Sequence, residues 1–284
     1  MSKIALVTDS TAYIPKEFLE QYGITVTPQV LIWGNQSYKD GVDIQPDEFY
    51  TRLKTAKVMP STSQVSVMDM HKAFSSLLDQ DYEVLGVFLS SKLSGTIQSA
   101  VQGREELAKG KDKVEIIDSN TTAMAMGFQV LSVARAAAEG ASMSECKALA
   151  EKARAYTGVY FVVDTLEFLH RGGRIGGAQR LLGTALNLKP ILALQDGRVE
   201  ALERIRTKGK AVERLINIVA EQTAGKKPVR LASLHANAPD EAKALLEQAA
   251  KLINPDEVIL TDVSPVVGTH TGPGTLALAY MAGM

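Results

Sequence analysis

Short apolar runs alternate with helical patterns along the first half of the chain, and this alternation limits the fold more than any other feature. The apolar runs predict strands at Lys3–Val7, Ile24–Trp33, Val84–Leu89 and Val114–Ile117. Periodic stripes and helix-start signals predict helices at Pro46–Thr55, Ser66–Leu78, Gly95–Leu107, Thr122–Ala138 and Ser144–Tyr156. Because strands that alternate with helices form parallel sheets, we expect an α/β fold. Its N-terminal part is a doubly wound, mostly parallel sheet with helices on both faces.

The second half of the chain has a different pattern. Asp196 and Gly197 form the strongest hairpin signal, between predicted strands at Leu188–Leu194 and Arg198–Ile205. Further strands are predicted at Val229–His235 and Glu257–Thr261, and helices at Val212–Ala220, Pro239–Leu252 and Pro273–Met281. This pattern indicates a C-terminal α+β domain that contains an antiparallel hairpin. We expect domains at residues 1–157 and 158–284, with a ligand site between them.

Composition excludes several classes of protein. The 31 basic and 32 acidic side chains leave a formal net charge of −1, so no electrostatic footprint for nucleic acid is present. The single cysteine, Cys146, cannot form an internal disulfide and suits a reducing compartment. The first residues lack the pattern of a signal peptide, and no apolar run reaches the ~18 residues of a membrane span. We therefore expect a cytoplasmic protein.

Four polar turns lie where one element ends and a helix begins. They are Thr8–Thr11, Pro60–Gln64, Ser90–Thr96 and Asp118–Thr122. In a doubly wound sheet, turns that follow strands lie at the carboxyl edge, where ligands bind. Helix N-termini and hydroxyl groups both supply donors that favour anions. Helix capping alone also explains Ser, Thr and Asp at each of these turns, so only their convergence would indicate an anion site.

Two glycine-rich segments add charged or titratable side chains. His170–Gly177 contains Arg171 and Arg174, and arginine supplies paired donors for a carboxylate or phosphate. Val267–Gly274 contains His270, which can donate to an anion and titrate near neutral pH. Structural roles are the alternative for each: an arginine that binds backbone carbonyls, or a histidine in the core or at a helix start.

Several chemistries are not supported by the sequence. It has no P-loop pattern and no G-x-S-x-G nucleophile elbow, which weakens a nucleotide site and a hydrolase. The four histidines lack close metal-ligand spacing, and one cysteine cannot build a zinc site, so we expect no metal and no cofactor.

Taken together, these segments resemble the DegV family of bacterial fatty-acid-binding proteins, also called FakB. The resemblance covers residues 3 to 274, and its motifs occur in the family order. It is carried by Thr8-Asp9-Ser10, Pro60–Gln64, Leu93–Thr96, Phe168–Gly177, Leu188–Ile191 and Gly268–Gly274. Tyr13 departs from the pattern, because the first motif commonly continues with an acidic residue there.

The resemblance implies a lipid carrier and not an enzyme. Its ligand would be one long-chain fatty acid, such as palmitate, stearate or oleate, held in a buried tunnel. A separate ATP-dependent fatty acid kinase would phosphorylate the carboxylate, giving acyl phosphate for phospholipid synthesis. Transient membrane contact would allow ligand exchange. Nucleic acid is not an expected partner.

The resemblance also assigns residues. By motif position, Thr62, Ser94 and His270 match the carboxylate-binding side chains of the family, and Arg171 and Arg174 match its Arg/Gly segment. Supporting roles fall to Asp9, Ser10, Ser63, Gly95, Thr96, Gly268 and Thr269. The segment Glu203–Thr207 resembles a basic surface strand associated with kinase docking, with Arg204 and Arg206 as candidates.

Two other functions remain open at this point. A phosphotransferase or acyl hydrolase could use the Ser/Thr turns with His270 as the general base. A sensor of a small organic acid would need a short, polar pocket without a long apolar tunnel.

Overall fold

The computed structural model describes residues 3–183 and 188–284. The strands are β1 (Lys3–Asp9), β2 (Thr25–Thr27), β3 (Val30–Trp33), β4 (Gln36–Lys39), β5 (Ser61–Ser63), β6 (Tyr82–Phe88), β7 (Val114–Asp118), β8 (Thr157–Val162), β9 (Lys189–Gln195), β10 (Arg198–Ile205), β11 (Val229–His235), β12 (Glu257–Asp262) and β13 (Leu276–Ala282). The α-helices are α1 (Lys16–Tyr22), α2 (Pro46–Leu53), α3 (Val67–Leu78), α4 (Thr96–Glu105), α5 (Ala123–Ala138), α6 (Met143–Ala153), α7 (Glu167–Arg171), α8 (Lys208–Thr223), α9 (Pro239–Ile253) and α10 (Pro265–Thr271).

The first half contains the predicted parallel sheet, with strand order β2-β1-β6-β7 and parallel pairing throughout. Side chains of β6 alternate between two cores, as the period of two in a strand requires. Phe88 packs with Phe74 of α3, whereas Leu85 packs in the core that contains Met124 of α5. Helices therefore cover both faces, and the predicted α/β class is confirmed.

The second half contains a six-stranded mixed sheet with the order β10-β9-β8-β13-β11-β12. Asp196 and Gly197 join β9 to β10 with positive φ angles of 48° and 80°, so the predicted hairpin is confirmed. Leu215 of α8 and Leu245 of α9 pack in one core on this sheet. This arrangement is the predicted α+β region.

Helix α5 lies between the two sheets. Its side chains Met124, Met126, Phe128 and Leu131 are fully buried, and they share one core with Val159 of β8. A helix that is apolar on all sides is buried on all sides, which explains the apolar sequence of α5. The predicted boundary at residues 157 and 158 coincides with the start of β8. The domain boundary stays a prediction, because residues from both halves of the chain pack together in this one core.

One predicted strand, Ile24–Trp33, is wrong in its extent. Pro28 has no amide hydrogen, and the chain divides there into β2 and β3. Strand β2 pairs with β1 in the parallel sheet, while β3 forms a separate antiparallel sheet of order β4-β3-β5. The division places the Thr62 segment, which lies on β5, beside β3.

The predicted final helix, Pro273–Met281, is also wrong. Leu276–Ala282 forms β13, which lies between β8 and β11 and is buried along its whole length. A short, continuous apolar run fits a buried strand as well as a helix, because neither face of a central strand is polar. The helix of this region is α10, so His270 lies in the last turn of a helix and not in a turn that opens one.

Strand β8 was not predicted.

No helix in the described part of the chain is both long and apolar enough to cross a bilayer.

Candidate functional site

A mainly apolar cavity lies between the carboxyl edge of the parallel sheet and the inner face of the six-stranded sheet. The space not filled by protein atoms is about 910 Å³, with the open solvent at the mouth of the cavity included. Strands of the larger sheet supply much of its wall, through Val159, Phe161, Leu194, Val199, Leu234 and Ala277. A wall of this composition favours an apolar ligand.

Thr62 and His270 lie together at a polar part of the cavity wall. The threonine Oγ1 atom is 2.8 Å from Nε2 of His270, although the two residues are 208 positions apart. Pairing with Leu31 on β3 fixes Thr62, and α10 fixes His270. Both residues were predicted to contact an anion, and the structure brings them together.

The imidazole of His270 is neutral at neutral pH. Burial lowers its pKa from the ordinary 6.5 to about 4, and the nearby positive charge of Arg174 adds to the effect. Its Nδ1 atom is buried and has no hydrogen-bond partner among the described residues. The ring packs against Gly172, where an added Cβ would lie 2.1 Å from Nδ1. A side chain at position 172 would therefore displace the ring.

Ser94 reaches the cavity from the turn before α4. Its Oγ lies 2.9 Å from Thr96 Oγ1 and accepts a hydrogen bond from the Thr96 backbone N–H at 3.3 Å. Thr96 Oγ1 also accepts a hydrogen bond from Nε2 of Gln29 at 2.8 Å. Gln29 lines the cavity, and sequence reasoning missed it because it falls inside a predicted strand with no motif around it.

Arg174 lies at the cavity and ties the two halves of the chain together. Its Nε donates to the carbonyl of Leu93 at 3.1 Å, and its Nη1 donates to the carbonyl of Gly172 at 2.7 Å. The same turn is held at its start, where Ser90 Oγ donates to the carbonyl of Gly197 at 2.7 Å. The second half of the chain therefore positions the turn that carries Ser94.

Arg171 occupies a different environment. It does not line the cavity, and its exposed guanidinium pairs with Glu167 one helical turn earlier. The structure thus separates two arginines that the sequence could not rank. The prediction that Arg171 binds the ligand carboxylate receives no support from this position.

Asp9 and Ser10 support the site without touching the cavity. Asp9 is fully buried and accepts hydrogen bonds from the N–H and Oγ1 of Thr11 and from the N–H of Leu89. Ser10 donates to Asp40 at 2.7 Å, and the other Asp40 oxygen accepts the N–H of Val266 in the first turn of α10. Burial raises the pKa of both carboxyl groups, and that of Asp40 reaches about 6.

The remaining predicted residues have varied positions. Ser63 lines the cavity, whereas Gly95, Gly268 and Thr269 do not. Gly268 packs so closely on α2 that a Cβ would lie 2.3 Å from Oη of Tyr50. Thr269 donates back to the carbonyl of Pro265 within α10. These last two residues hold the helix that carries His270.

Three further positions are the two docking candidates, Arg204 and Arg206, and the motif departure at Tyr13. Arg204 and Arg206 are exposed, on and just after the edge strand β10, and neither lines the cavity. Tyr13, the departure from the family motif, lines the cavity with a positive φ of 55°, and its Oη lies 3.3 Å from Ser264 Oγ.

Comparison with known proteins places the chain among relatives of similar length. A family model described as "Uncharacterised protein, DegV family" matches residues 3–283. A DegV domain-containing protein of Streptomyces coelicolor is 37% identical over 277 residues, covering 97% of each chain.

Two solved structures are similar throughout. A fatty-acid-binding DegV family protein from Thermus thermophilus has a TM-score of 0.92 and 35% identity, covering 99% of each chain. DegV of Bacillus subtilis, described as a fatty acid binding protein, has a TM-score of 0.90 and 32% identity, covering 99% of this chain and all of that one. The family model and these full-length similarities agree with the sequence motifs, and the chain belongs to the DegV family.

Proposed function

We propose that this protein binds one long-chain fatty acid, with its acyl chain in the cavity and its carboxylate at Thr62 and Ser94. The observation that carries the proposal is a mainly apolar cavity whose wall also includes two hydroxyl groups, a neutral histidine and an arginine, with Thr62 in contact with His270. The fatty acid binding described for the Thermus and Bacillus relatives supports the same ligand class.

Burial of the acyl chain would supply the affinity. A sixteen-carbon fatty acid has fourteen methylenes and one methyl group, which together gain roughly 12 kcal/mol at ~0.8 kcal/mol for each buried group. Loss of translational freedom and ordering of the ligand reduce this figure by several kcal/mol. The remainder is sufficient to retain a ligand that is almost insoluble in water.

The carboxylate needs donors, because an unpaired anion in a buried site is costly. If Nε2 of His270 carries the ring proton, it donates to Thr62 Oγ1, and the threonine proton is then available to the ligand. Arg174 adds a positive charge near the same place. Hydrogen bonds to an ionised acceptor are stronger than those between neutral groups. These donors can therefore offset the hydration that the carboxylate loses when it is buried.

A carrier that hands its ligand to a separate ATP-dependent kinase fits this arrangement. Gln64 lines the cavity beside Ser63 and is exposed, so the hydroxyl end lies near the protein surface. Hydroxyl donors leave lone pairs on the carboxylate oxygens, which can attack the γ-phosphoryl group of ATP with ADP as the leaving group. We further propose that Arg204 and Arg206 form part of the docking surface for the kinase. The acyl phosphate would enter phospholipid synthesis in the cytoplasm, with ligand exchange at the membrane.

An enzyme that uses Thr62 as a nucleophile is the second candidate, because the Thr62–His270 contact resembles a hydroxyl with its base. Two features count against it. A pKa of about 4 makes His270 a weak base at neutral pH. Its Nδ1 has no carboxylate to orient it among the described residues. A sensor of small organic acids fits the mainly apolar wall less well.

Native mass spectrometry of the purified protein tests the ligand class. We expect one fatty acid for each chain, retained through purification or taken up from added palmitate or oleate. A protein that stays empty with both, while it hydrolyses chromogenic phosphate or acyl esters, would support the enzyme instead.

The kinase step needs its own test, with fatty acid kinase, ATP and the loaded protein. We expect acyl phosphate to form, and Arg204→Glu/Arg206→Glu to slow its formation without loss of bound fatty acid. Lys226→Glu is the matched control, because Lys226 is exposed at a distant loop. Equal rates for all three proteins would reject this docking surface.

A further inference from the structure

Gln29 is a buried amide side chain at the start of a hydrogen-bonded chain that leads to the cavity. Its Nε2 donates to Thr96 Oγ1 at 2.8 Å, and Thr96 Oγ1 lies 2.9 Å from Ser94 Oγ. The Thr96 backbone N–H also points at Ser94 Oγ, at 3.3 Å. Three residues from two separate turns are thus connected in a fixed order.

Counting protons along this chain favours one direction of donation. An amide NH₂ group only donates, so Thr96 Oγ1 acts as an acceptor toward Gln29. The single hydroxyl proton of Thr96 is then available to Ser94, the neighbour at 2.9 Å. When Ser94 Oγ accepts this proton together with the Thr96 N–H, the proton of Ser94 is left to donate into the cavity.

The residues around Gln29 fix its position beside Thr96. Its side chain also lies beside Asp9, a buried carboxyl group whose pKa is raised mainly by that burial. The backbone of Gln29 is also fixed, because its N–H donates to Ser10 Oγ and its carbonyl accepts from the N–H of Asp40.

We infer that Gln29 is a positioning residue that makes Ser94 a hydrogen-bond donor toward the ligand, so that the site prefers a carboxylate to a neutral head group. This inference rests on the proposed function and deepens it.

The experiment compares palmitate with hexadecanol, which has the same chain length and a neutral head group. Gln29→Glu is nearly isosteric and places an acceptor opposite Thr96. The Thr96 proton then turns toward position 29, Ser94 donates to Thr96, and a lone pair of Ser94 faces the ligand.

We expect palmitate affinity to fall at least about tenfold, as loss of a hydrogen bond to a charged group implies. Hexadecanol can donate to Ser94, so its affinity should stay within about threefold.

A second variant keeps the test valid if the glutamate disturbs folding. Gln29→Leu removes the donor without supplying an acceptor, so its loss of palmitate affinity should lie between the wild-type and Gln29→Glu values. Gln129→Leu is the matched control, since Gln129 is a buried glutamine that bonds Thr157 and does not line the cavity. It should leave both affinities unchanged.

Two outcomes overturn the inference. One is unchanged palmitate binding in both Gln29 variants. The other is an equal loss for palmitate and hexadecanol, which would mean that Gln29 only supports the fold. Failure of the wild-type protein to bind palmitate would instead reject the proposed function, so the two failures are distinguishable.

Discussion

Gly172 lies directly against the imidazole of His270, and a Cβ at position 172 would be 2.1 Å from its Nδ1 atom. The glycine of one segment thus makes room for the histidine of another, almost a hundred residues later in the chain. The opposite edge of the same ring contacts Thr62. The Arg/Gly segment therefore sets the position of the histidine as well as supplying Arg174.

Gly172→Ala tests this steric relationship. The methyl group should push the ring away and break the contact between Nε2 and Thr62 Oγ1, lowering palmitate affinity about tenfold. Isothermal titration with palmitate measures the change. Gly209→Ala is the control, because Gly209 has open space around its Cβ position and no positive φ. Equal affinities for the two variants would show that the ring can move without cost.

Replacing the two arginines separately should give unequal results. Arg174→Met removes the bond to the Leu93 carbonyl and the positive charge near His270, so we expect weaker palmitate binding. It should also raise the pKa of His270 above about 4, since Arg174 contributes to its depression. NMR titration of the ring protons measures this shift. Arg171→Met should change neither quantity; a matching effect in both variants would contradict the assignment.

Asp40 should make stability depend on pH. Its pKa is raised from 3.8 to about 6 in the folded protein, so the folded state binds more protons than the unfolded state between these values. The ionised form opposes folding above about pH 6, and this cost disappears as pH falls toward 4. At ~1.4 kcal/mol for each pH decade, the difference between 6 and 3.8 amounts to ~3 kcal/mol.

Urea unfolding of the wild-type protein and Asp40→Asn checks this sign. Relative to the variant, the wild-type protein should gain free energy of unfolding as pH falls from about 6 to 4. Asp112→Asn, the same substitution at an exposed position, is the control for the change of side chain itself. A wild-type protein that loses stability relative to Asp40→Asn over this range would refute the prediction.

The small side chain of Ala277 should leave room in the cavity for the acyl chain. It pairs with Phe161 on one side and Leu234 on the other, and all three line the cavity. The small side chain leaves space between two large ones, so Ala277→Leu should fill part of the cavity and favour shorter acyl chains. Mass spectrometry of extracted ligands, after exposure to a mixture of chain lengths, measures the profile. An unchanged profile would place the acyl chain elsewhere.

The sequence patterns predicted much of this structure. The strand Val229–His235 matches to the residue, and the hairpin at Asp196 and Gly197 is present, because both depend on local signals. The strand β13 could not be distinguished from a helix, since its residues are buried on both faces by neighbours remote in sequence.

The site residues likewise include some that sequence motifs predict and some that only the assembled fold places. Family motifs indicated Thr62, Ser94 and His270, but no local pattern could indicate Gln29 or the packing of Gly172 on His270. Those relationships exist only once β3, α7 and α10 are assembled. The rank of Arg174 above Arg171 likewise depends on which side chain reaches the Leu93 carbonyl.

The central claim is that the hydroxyls of Thr62 and Ser94 hold a fatty acid carboxylate, and the affinity of Thr62→Val/Ser94→Ala for palmitate tests it most directly. Loss of two hydrogen bonds to a charged group should weaken binding by at least about 100-fold. Hexadecanol, bound mainly through its chain, should lose far less. Wild-type affinity for palmitate in the double variant would contradict the account.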